Sequence, residues 1–363
     1  MPPIASSQEL AVPDGSGRTL ADPMQGVRWW LYGVAALVFA LIVVGGATRL
    51  TDSGLSITEW RPIMGILPPL NEAEWQEALA KYRLIPEYKL VNKGMSLEAF
   101  KFIFWWEWGH RFLARMVGFA FAIPFVYFLV RGRLNAPLAW KLAGILALGG
   151  LQGAIGWFMV SSGLVDRIDV SHYRLALHLT VAFVIFALLL WTAWSLLPRA
   201  EQHVARPAAP RYRRMAGFIV ALIFLQLVLG ALVAGFKAGL THNTWPLMDG
   251  QLVPDGLWLM SPWYLNVFEN ATTIQFNHRM IAYVIVALVL WHAASMTRAD
   301  DGRLAPSAFA LAIAVLGQAA LGIWTLLAQV PLSLGLAHQG LAAIVTAVAL
   351  WHLFLVTRRG TVA

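Results

Sequence analysis

Glu107, His110 and Arg111 open an apolar run of membrane length, and the same frame returns at Gln275, His278 and Arg279. Two further histidines, His178 and His338, enter later apolar runs in the same way. An imidazole in lipid is costly unless it is paired or ligating, so all four are candidates for chemistry. Taken as His110 with His178 and His278 with His338, they form two pairs from facing helices. That arrangement suits axial ligation of a porphyrin iron. Structural hydrogen bonding is the plainer alternative. Zinc is disfavoured, because the third and fourth ligands it needs are not in evidence. The chain of 363 residues has no cysteine, which excludes thiolate ligation, disulfides and cysteine-held iron–sulfur clusters.

The two frames differ at one telling position. Glu107 stands three residues before His110, on the same helix face, and Gln275 stands three before His278. Glutamine has nearly the same shape but cannot ionise. A site with a titratable group can relay protons or stabilise a cation, whereas a site without one can hold a fixed cofactor. On this logic the first copy is the reaction site and the second the cofactor station. A structural role for Glu107, capping the helix start or pairing with Arg111, stays open. Arg111 and Arg279 are candidates to pair with haem propionates, with snorkelling to the interface as the competing explanation.

What must position these side chains is a set of membrane helices. The chain is 59% hydrophobic and only 13% charged, against roughly a quarter charged in soluble domains. Eight apolar stretches near 27–48, 108–130, 138–160, 174–197, 213–236, 276–297, 305–328 and 334–357 are long enough to span a bilayer as helices. The net charge of +8 sits largely in alternate connections and places both termini in the cytoplasm; nucleic acid is not implied. Residues 1–26 read as a disordered cytoplasmic tail, and 358–363 as a second one. The long segments 49–107 and 237–275 then lie outside. Within the first, Glu72 to Tyr82 is amphipathic and predicts a helical cap on the outer face.

An internal repeat organises the spans. Gly45, Gly54 and Trp60 recur as Gly230, Gly239 and Trp245, each 185 residues on. His110-Arg111 recurs 168 residues on, Gln152 and Gly156 recur as Gln318 and Gly322, and His178 and Trp191 as His338 and Trp351. Each half holds four spans, so the halves share one orientation, and the prediction is an all-α membrane protein of two tandem pseudo-symmetric four-helix bundles, 27–200 and 201–357. Gly149, Gly150, Gly153 and Gly156 of the third span, with Gly317, Ala319, Ala320 and Gly322 of the seventh, permit close helix approach or leave room for a flat macrocycle. His292 and His352 lie 14 residues beyond His278 and His338 and return to nearly the same faces. A second, stacked haem is one reading of them, and inner-boundary residues of the aromatic belt is the favoured one. His172, His203 and His242 fall in or beside loops.

These motifs carry a resemblance. Thr48-Arg49-Leu50-Thr51, Ser53-Gly54-Leu55-Ser56, Glu59-Trp60-Arg61-Pro62, Pro68-Pro69, Pro86-Glu87-Tyr88-Lys89, Phe100-Lys101-Phe102-Ile103, Glu107…His110-Arg111, Asn277-His278-Arg279 and Ala337-His338 are similar to the haem A synthase family. The likeness covers about 27–357 and points to the branch shared by proteobacteria and mitochondria. The other branch carries loop cysteines; Met64 and Met248 lie near where these would fall. The resemblance implies a bound haem B between His278 and His338, and haem O as substrate between His110 and His178. Glu107 matches the family's acidic residue beside the substrate. The implied reaction oxidises a porphyrin methyl to a formyl group by successive hydroxylation. Haem O synthase, cytochrome oxidase assembly factors and an electron donor are the implied partners, in the bacterial inner membrane with the haem sites near the periplasmic side. A homo-oligomer is compatible with this. The rival reading is a transmembrane b-type cytochrome that only transfers electrons, with two equivalent sites and no use for the Glu107/Gln275 difference. A transporter fits less well, because the polar residues gather at the outer boundary rather than mid-bilayer.

Overall fold

A computed structural model describes residues 22–60, 64–198, 203–204, 208–297 and 304–360. Most of the proposed N-terminal tail, Arg61-Pro62, the loop residues Arg199, Arg206, Arg298 and Arg303, and the end of the C-terminal tail lie outside these. Eight helices are long and apolar enough to cross a membrane. They are α1 (Gln25–Leu50), α4 (Leu97–Val130), α5 (Ala136–Ser161), α6 (His172–Ser195), α7 (Pro210–Gly235), α9 (Ala271–Thr297), α10 (Ala305–Leu327) and α11 (Leu332–Val356). Shorter helices α2 (Glu72–Tyr82) and α3 (Pro86–Leu90) belong to the connection between α1 and α4, and α8 (Leu265–Glu269) to that between α7 and α9. Two-residue strands β1 (His203–Val204) and β2 (Arg359–Gly360) pair in parallel, which ties the α6–α7 connection to the chain's end.

Local chemistry sets the helix starts. Asn71 and Ser96 cap α2 and α4 with side-chain oxygens that accept from Glu74 N–H and Ala99 N–H. Asn135 does the same for α5, with proline in the first turn, where the missing N–H costs nothing. The main departure from the sequence reading is α4, which begins at Leu97 rather than near 108. Glu98, Lys101 and Glu107 depress the hydropathy there, but Phe100, Ile103 and Phe104 are buried against Trp75, Leu79 and Tyr82 of α2. At 1.5 Å per residue, 34 residues reach about 51 Å, well past a hydrocarbon core of roughly 30 Å. The amphipathic segment Glu72–Tyr82 is α2, and it packs on this N-terminal extension of α4.

Contacts close two cycles of helices. In one, α1 meets α4 and α6, and α5 lies between α4 and α6; in the other, α7 meets α9 and α11, with α10 between them. The cycles touch through α6 with α7 and through α11 with α1 and α6. Gln339 of α11 donates to the Ile42 carbonyl of α1 at 2.7 Å, across this seam. At the end of α1 that carries Arg49 the seam carries charge. Asp52 and Lys237 occupy one repeat position, both in the left-handed region (φ 47° and 52°), and their side chains meet at 3.1 Å. Arg49 and Asp169 complete the ring, with Arg49 at 2.9 Å from Asp52 and 3.4 Å from Asp169. Single exposed pairs contribute little, so the ring acts chiefly as a register for the two halves.

Candidate functional site

Each of the four histidines lies against a glycine of a neighbouring span. A Cβ built on Gly45 (α1) would sit 2.9 Å from His110 Cε1, and one on Gly156 (α5) 3.0 Å from His178 Cε1. In the other cycle the distances are 3.2 Å from Gly230 (α7) to His278 and 2.7 Å from Gly322 (α10) to His338. The glycines flagged by the repeat are thus notches that fix the plane of one imidazole apiece. Of the other small residues, Gly149, Gly150 and Gly153 face open space, and Gly317 meets only Leu341, at 3.9 Å.

The helix carrying each ring is held as well. Gln152 donates to the His178 carbonyl at 2.8 Å, Gln318 to that of His338 at 3.0 Å, and Gln226 to that of His278 at 2.9 Å. Gln226 has no counterpart before His110, because the matching residue of α1 is Leu41. It escaped the sequence reading for that reason, although a glutamine within an apolar span was itself a signal. His110 and His178 make no side-chain hydrogen bond among the described residues, and the Nδ1 atoms of His110, His178 and His278 are buried without partners. All four rings are half-buried. His110 lies within electrostatic reach of His178, and His278 of His338. Among the described residues no three metal-ligating side chains converge, so each pair stands as two ligands. Gln226 Nε2 lies 3.4 Å from His278 Nε2, and Gln318 Nε2 lies 3.2 and 3.4 Å from the two ring nitrogens of His338. Two imidazoles, each wedged on a glycine, fit a flat metal macrocycle held from both sides.

Beside each pair, a loop strand is clamped by the frame residues. Arg111 donates to the carbonyls of Ile57 and Glu59 at 2.9 and 3.2 Å. Arg279 donates to His242 and Thr244, the same two repeat positions, at 2.8 and 2.9 Å. The clamps diverge at Glu107, whose side chain is 3% exposed. One carboxylate oxygen accepts from Ser56 Oγ–H (2.7 Å) and Ile57 N–H (2.6 Å), and the other meets Arg111 at 2.6 Å. Gln275 instead donates to the His242 carbonyl at 3.1 Å and leaves its own oxygen unpartnered. The carboxylate is therefore anchored by three donors: the pairing with Arg111 is the structural role that spacing allowed, whereas Ser56 and Ile57 lie some fifty residues away and were invisible from it.

Four of the remaining histidines have other partners, and the side chain of His203 lies outside the described residues. His292 and His352 face each other Nε2 to Nε2 at 2.8 Å, with Ser307 on His352 Nδ1 at 2.8 Å. A metal–imidazole bond is about 2 Å, so an iron between them would need about 4 Å. They form a direct interhelical hydrogen bond. His242 is held by Asp249 and Thr272, and His172 lies between the rings of Tyr173 and Phe236.

Under the cap lies a second buried acid. Glu87 of α3 is 5% exposed, and one of its oxygens has no partner. Burial pushes its carboxyl up to about 8, helped by Asp52, Asp169 and Glu107, while a hydrogen bond from Tyr82 works the other way. A value above the ordinary 4.5 means that ionisation opposes the folded cap. The cap is at full strength below about pH 4.5 and loses stability as pH rises, the loss levelling off above about 8. Limited proteolysis of segment 51–96 in the purified protein should accelerate across that window. Glu87→Gln should flatten the dependence; an unchanged profile in the variant would assign it to another group.

The profile of a family described as cytochrome oxidase assembly protein matches residues 28–350. A protein of Chelativorans named heme A synthase is 56% identical over 327 residues, covering 90% of each chain. Proteins of the same name from Parvibaculum lavamentivorans and Mesorhizobium japonicum are 54% and 55% identical over 328 residues, covering 90% of this chain and 93% and 89% of theirs.

Proposed function

The chain belongs to the family of cytochrome oxidase assembly proteins, and from that premise we propose that its two histidine pairs divide one reaction between them. The protein is a multi-pass membrane enzyme of haem A biosynthesis, acting as a haem A synthase. We assign haem O, the substrate, to His110 and His178, and a resident haem B to His278 and His338. Haem B, when bound, supplies a one-electron couple. Oxidising a porphyrin methyl to a formyl group takes the oxygen from water, passes the electrons to an external oxidant and gives up protons, so a base beside the substrate has work to do. Glu107 is that base. Ser56, Ile57 and Arg111 hold its carboxylate in place, and Gly45 and Gly156 hold the rings that orient the substrate. Arg111 and Arg279 would supply positive charge to the propionates, and the Arg279 Nε has no hydrogen-bond partner among the described residues. The inner membrane, a periplasmic placement of the sites, haem O synthase as supplier and cytochrome oxidase as consumer follow from the same reading.

The observation that carries the proposal is the single Glu107-to-Gln275 change inside two otherwise matching clamps. A purely electron-transferring cytochrome would have no use for it. The test is to express the protein in cells that make haem O and identify the extracted haems by mass. Formylated haem in addition to haem B supports the enzyme; haem B alone, with no haem A in the cells, would sink it.

A further inference from the structure

The connection between α7 and α9 is built with its polarity reversed. Asn266 is 0% exposed, its side-chain oxygen accepting from Met260 N–H at 2.9 Å and its amide donating to the Met260 and Trp263 carbonyls at 2.9 Å. Asn270 donates to the Gly256 carbonyl at 2.7 Å, and Thr273 to that of Leu257 at 2.7 Å. Around this polar interior the apolar side chains point outward. Leu252 is 78% exposed, Leu259 82%, Trp263 68% and Trp258 62%. Trp258 lies 6.4 Å from Trp263, which lies 6.2 Å from Tyr264, so the aromatics form one patch. Between Leu252 and Phe268 the only charged residue is Asp255. A loop surrounded by water does the opposite, and a large exposed apolar patch marks a surface that something covers.

The occupant is indicated by where the loop goes. Trp245, near its start, donates to the Tyr283 hydroxyl at 3.0 Å. Tyr283 lies more than a turn beyond His278 along α9, within the apolar span, so the loop folds back alongside that helix. At its other end the loop runs through α8, with Phe268 exposed, directly into α9, whose Tyr283, Val284 and Leu290 are also exposed. The patch is therefore continuous with the lipid-facing surface of a span. Tryptophan and tyrosine favour the headgroup level, and a nearly uncharged segment with its polar groups satisfied internally tolerates that depth. We propose that residues 252–264 form a wedge seated in the outer-leaflet interface of the bilayer, anchoring the second half beside the His278–His338 site.

The absence of native cysteine makes the test direct. Single variants Leu252→Cys, Leu259→Cys and Trp263→Cys carry a nitroxide, with Glu72→Cys on the exposed face of α2 as the aqueous reference. The full-length protein is reconstituted in nanodiscs of phosphatidylcholine and phosphatidylglycerol. Its collision rates with oxygen and with a neutral nickel chelate are then measured by power saturation. At the three loop positions oxygen should collide several-fold more effectively than the chelate, with the order reversed at Glu72→Cys. Chelate accessibility at the loop equal to the reference would overturn the proposal. Accessibility in nanodiscs combined with occlusion from both reagents in native membranes would also overturn it, in favour of a protein partner. The replaced side chains project outward, so any one of the three variants that retains its haem B decides the matter.

Discussion

Glu107→Gln should leave haem B bound and the membrane fold intact while haem A formation falls by about two to four orders of magnitude, the usual worth of a positioned base. The substitution keeps volume but places an NH2 where Ser56 Oγ–H and Ile57 N–H, or the Arg111 guanidinium, now donate. The second half shows how an amide is accommodated. Gln275 turns to donate to a loop carbonyl, and Arg279 clamps that carbonyl and one other. In the first half the Ile57 carbonyl already accepts from Arg111 and can take a second donor, so a local solution exists. Its cost is the loss of the Arg111 ion pair, but Arg111 is 20% exposed and keeps its bonds to the Ile57 and Glu59 carbonyls, so the cost stays well below the roughly 3–5 kcal/mol of a fully buried charge left unpaired. Two readouts separate chemistry from structure. Haem B content and thermal stability of the purified variant report the fold, and the ratio of haem A to haem O in extracts reports turnover. Loss of haem A with both structural readouts near wild type identifies Glu107 as the base. Loss of haem A only in step with loss of fold would reduce it to a strut for the 56–59 loop. Glu107→Asp sharpens the choice, since it retains the charge but withdraws it by one methylene, and a partial recovery over the glutamine variant requires a role for ionisation.

How much of this was legible in the sequence depends on whether the information was local. The eight spans follow from length and hydropathy, and the four histidines stand out through the repeat. The cap helix was readable because amphipathicity is a short-range pattern. The true start of α4 was not, since the residues that extend it, Phe100, Ile103 and Phe104, are stabilised by α2 rather than by lipid. Gly45 and Gly230 were visible as a repeated pair, but their service as notches for imidazoles needed the crossing of α1 over α4 and of α7 over α9. The anchoring of Glu107 by Ser56 and Ile57 is a loop-to-helix contact that no periodicity reports. The same limit applies to His292 and His352. Their spacing suggested a shared face, and only side-chain placement reveals a 2.8 Å contact with no room for a metal.

His338→Leu should abolish bound haem B. The substitution removes the ring and its contacts with Gln318 Nε2, 3.2 and 3.4 Å from the ring nitrogens, but leaves the backbone contact beside it in place. Gln318 keeps its 3.0 Å bond to the residue 338 carbonyl whatever the side chain, so the α10–α11 contact survives. The haemochrome spectrum of the purified variant should therefore lose the haem B signal while the protein remains folded, and stoichiometric haem B would remove His338 from the ligand set. A graded companion tests the notch itself. In Gly322→Ala the new Cβ, 2.7 Å from His338 Cε1, can be absorbed only by swinging the ring or parting the helices. In Gly317→Ala the new methyl meets only Leu341, at 3.9 Å, and should change nothing. Haem B retention should thus fall in the order Gly317→Ala, Gly322→Ala, His338→Leu. If Gly322→Ala binds haem B as firmly as Gly317→Ala, the notch is only packing. If it does not, the four glycines rank with the histidines, because a ligand is useful to an iron only when something holds its plane.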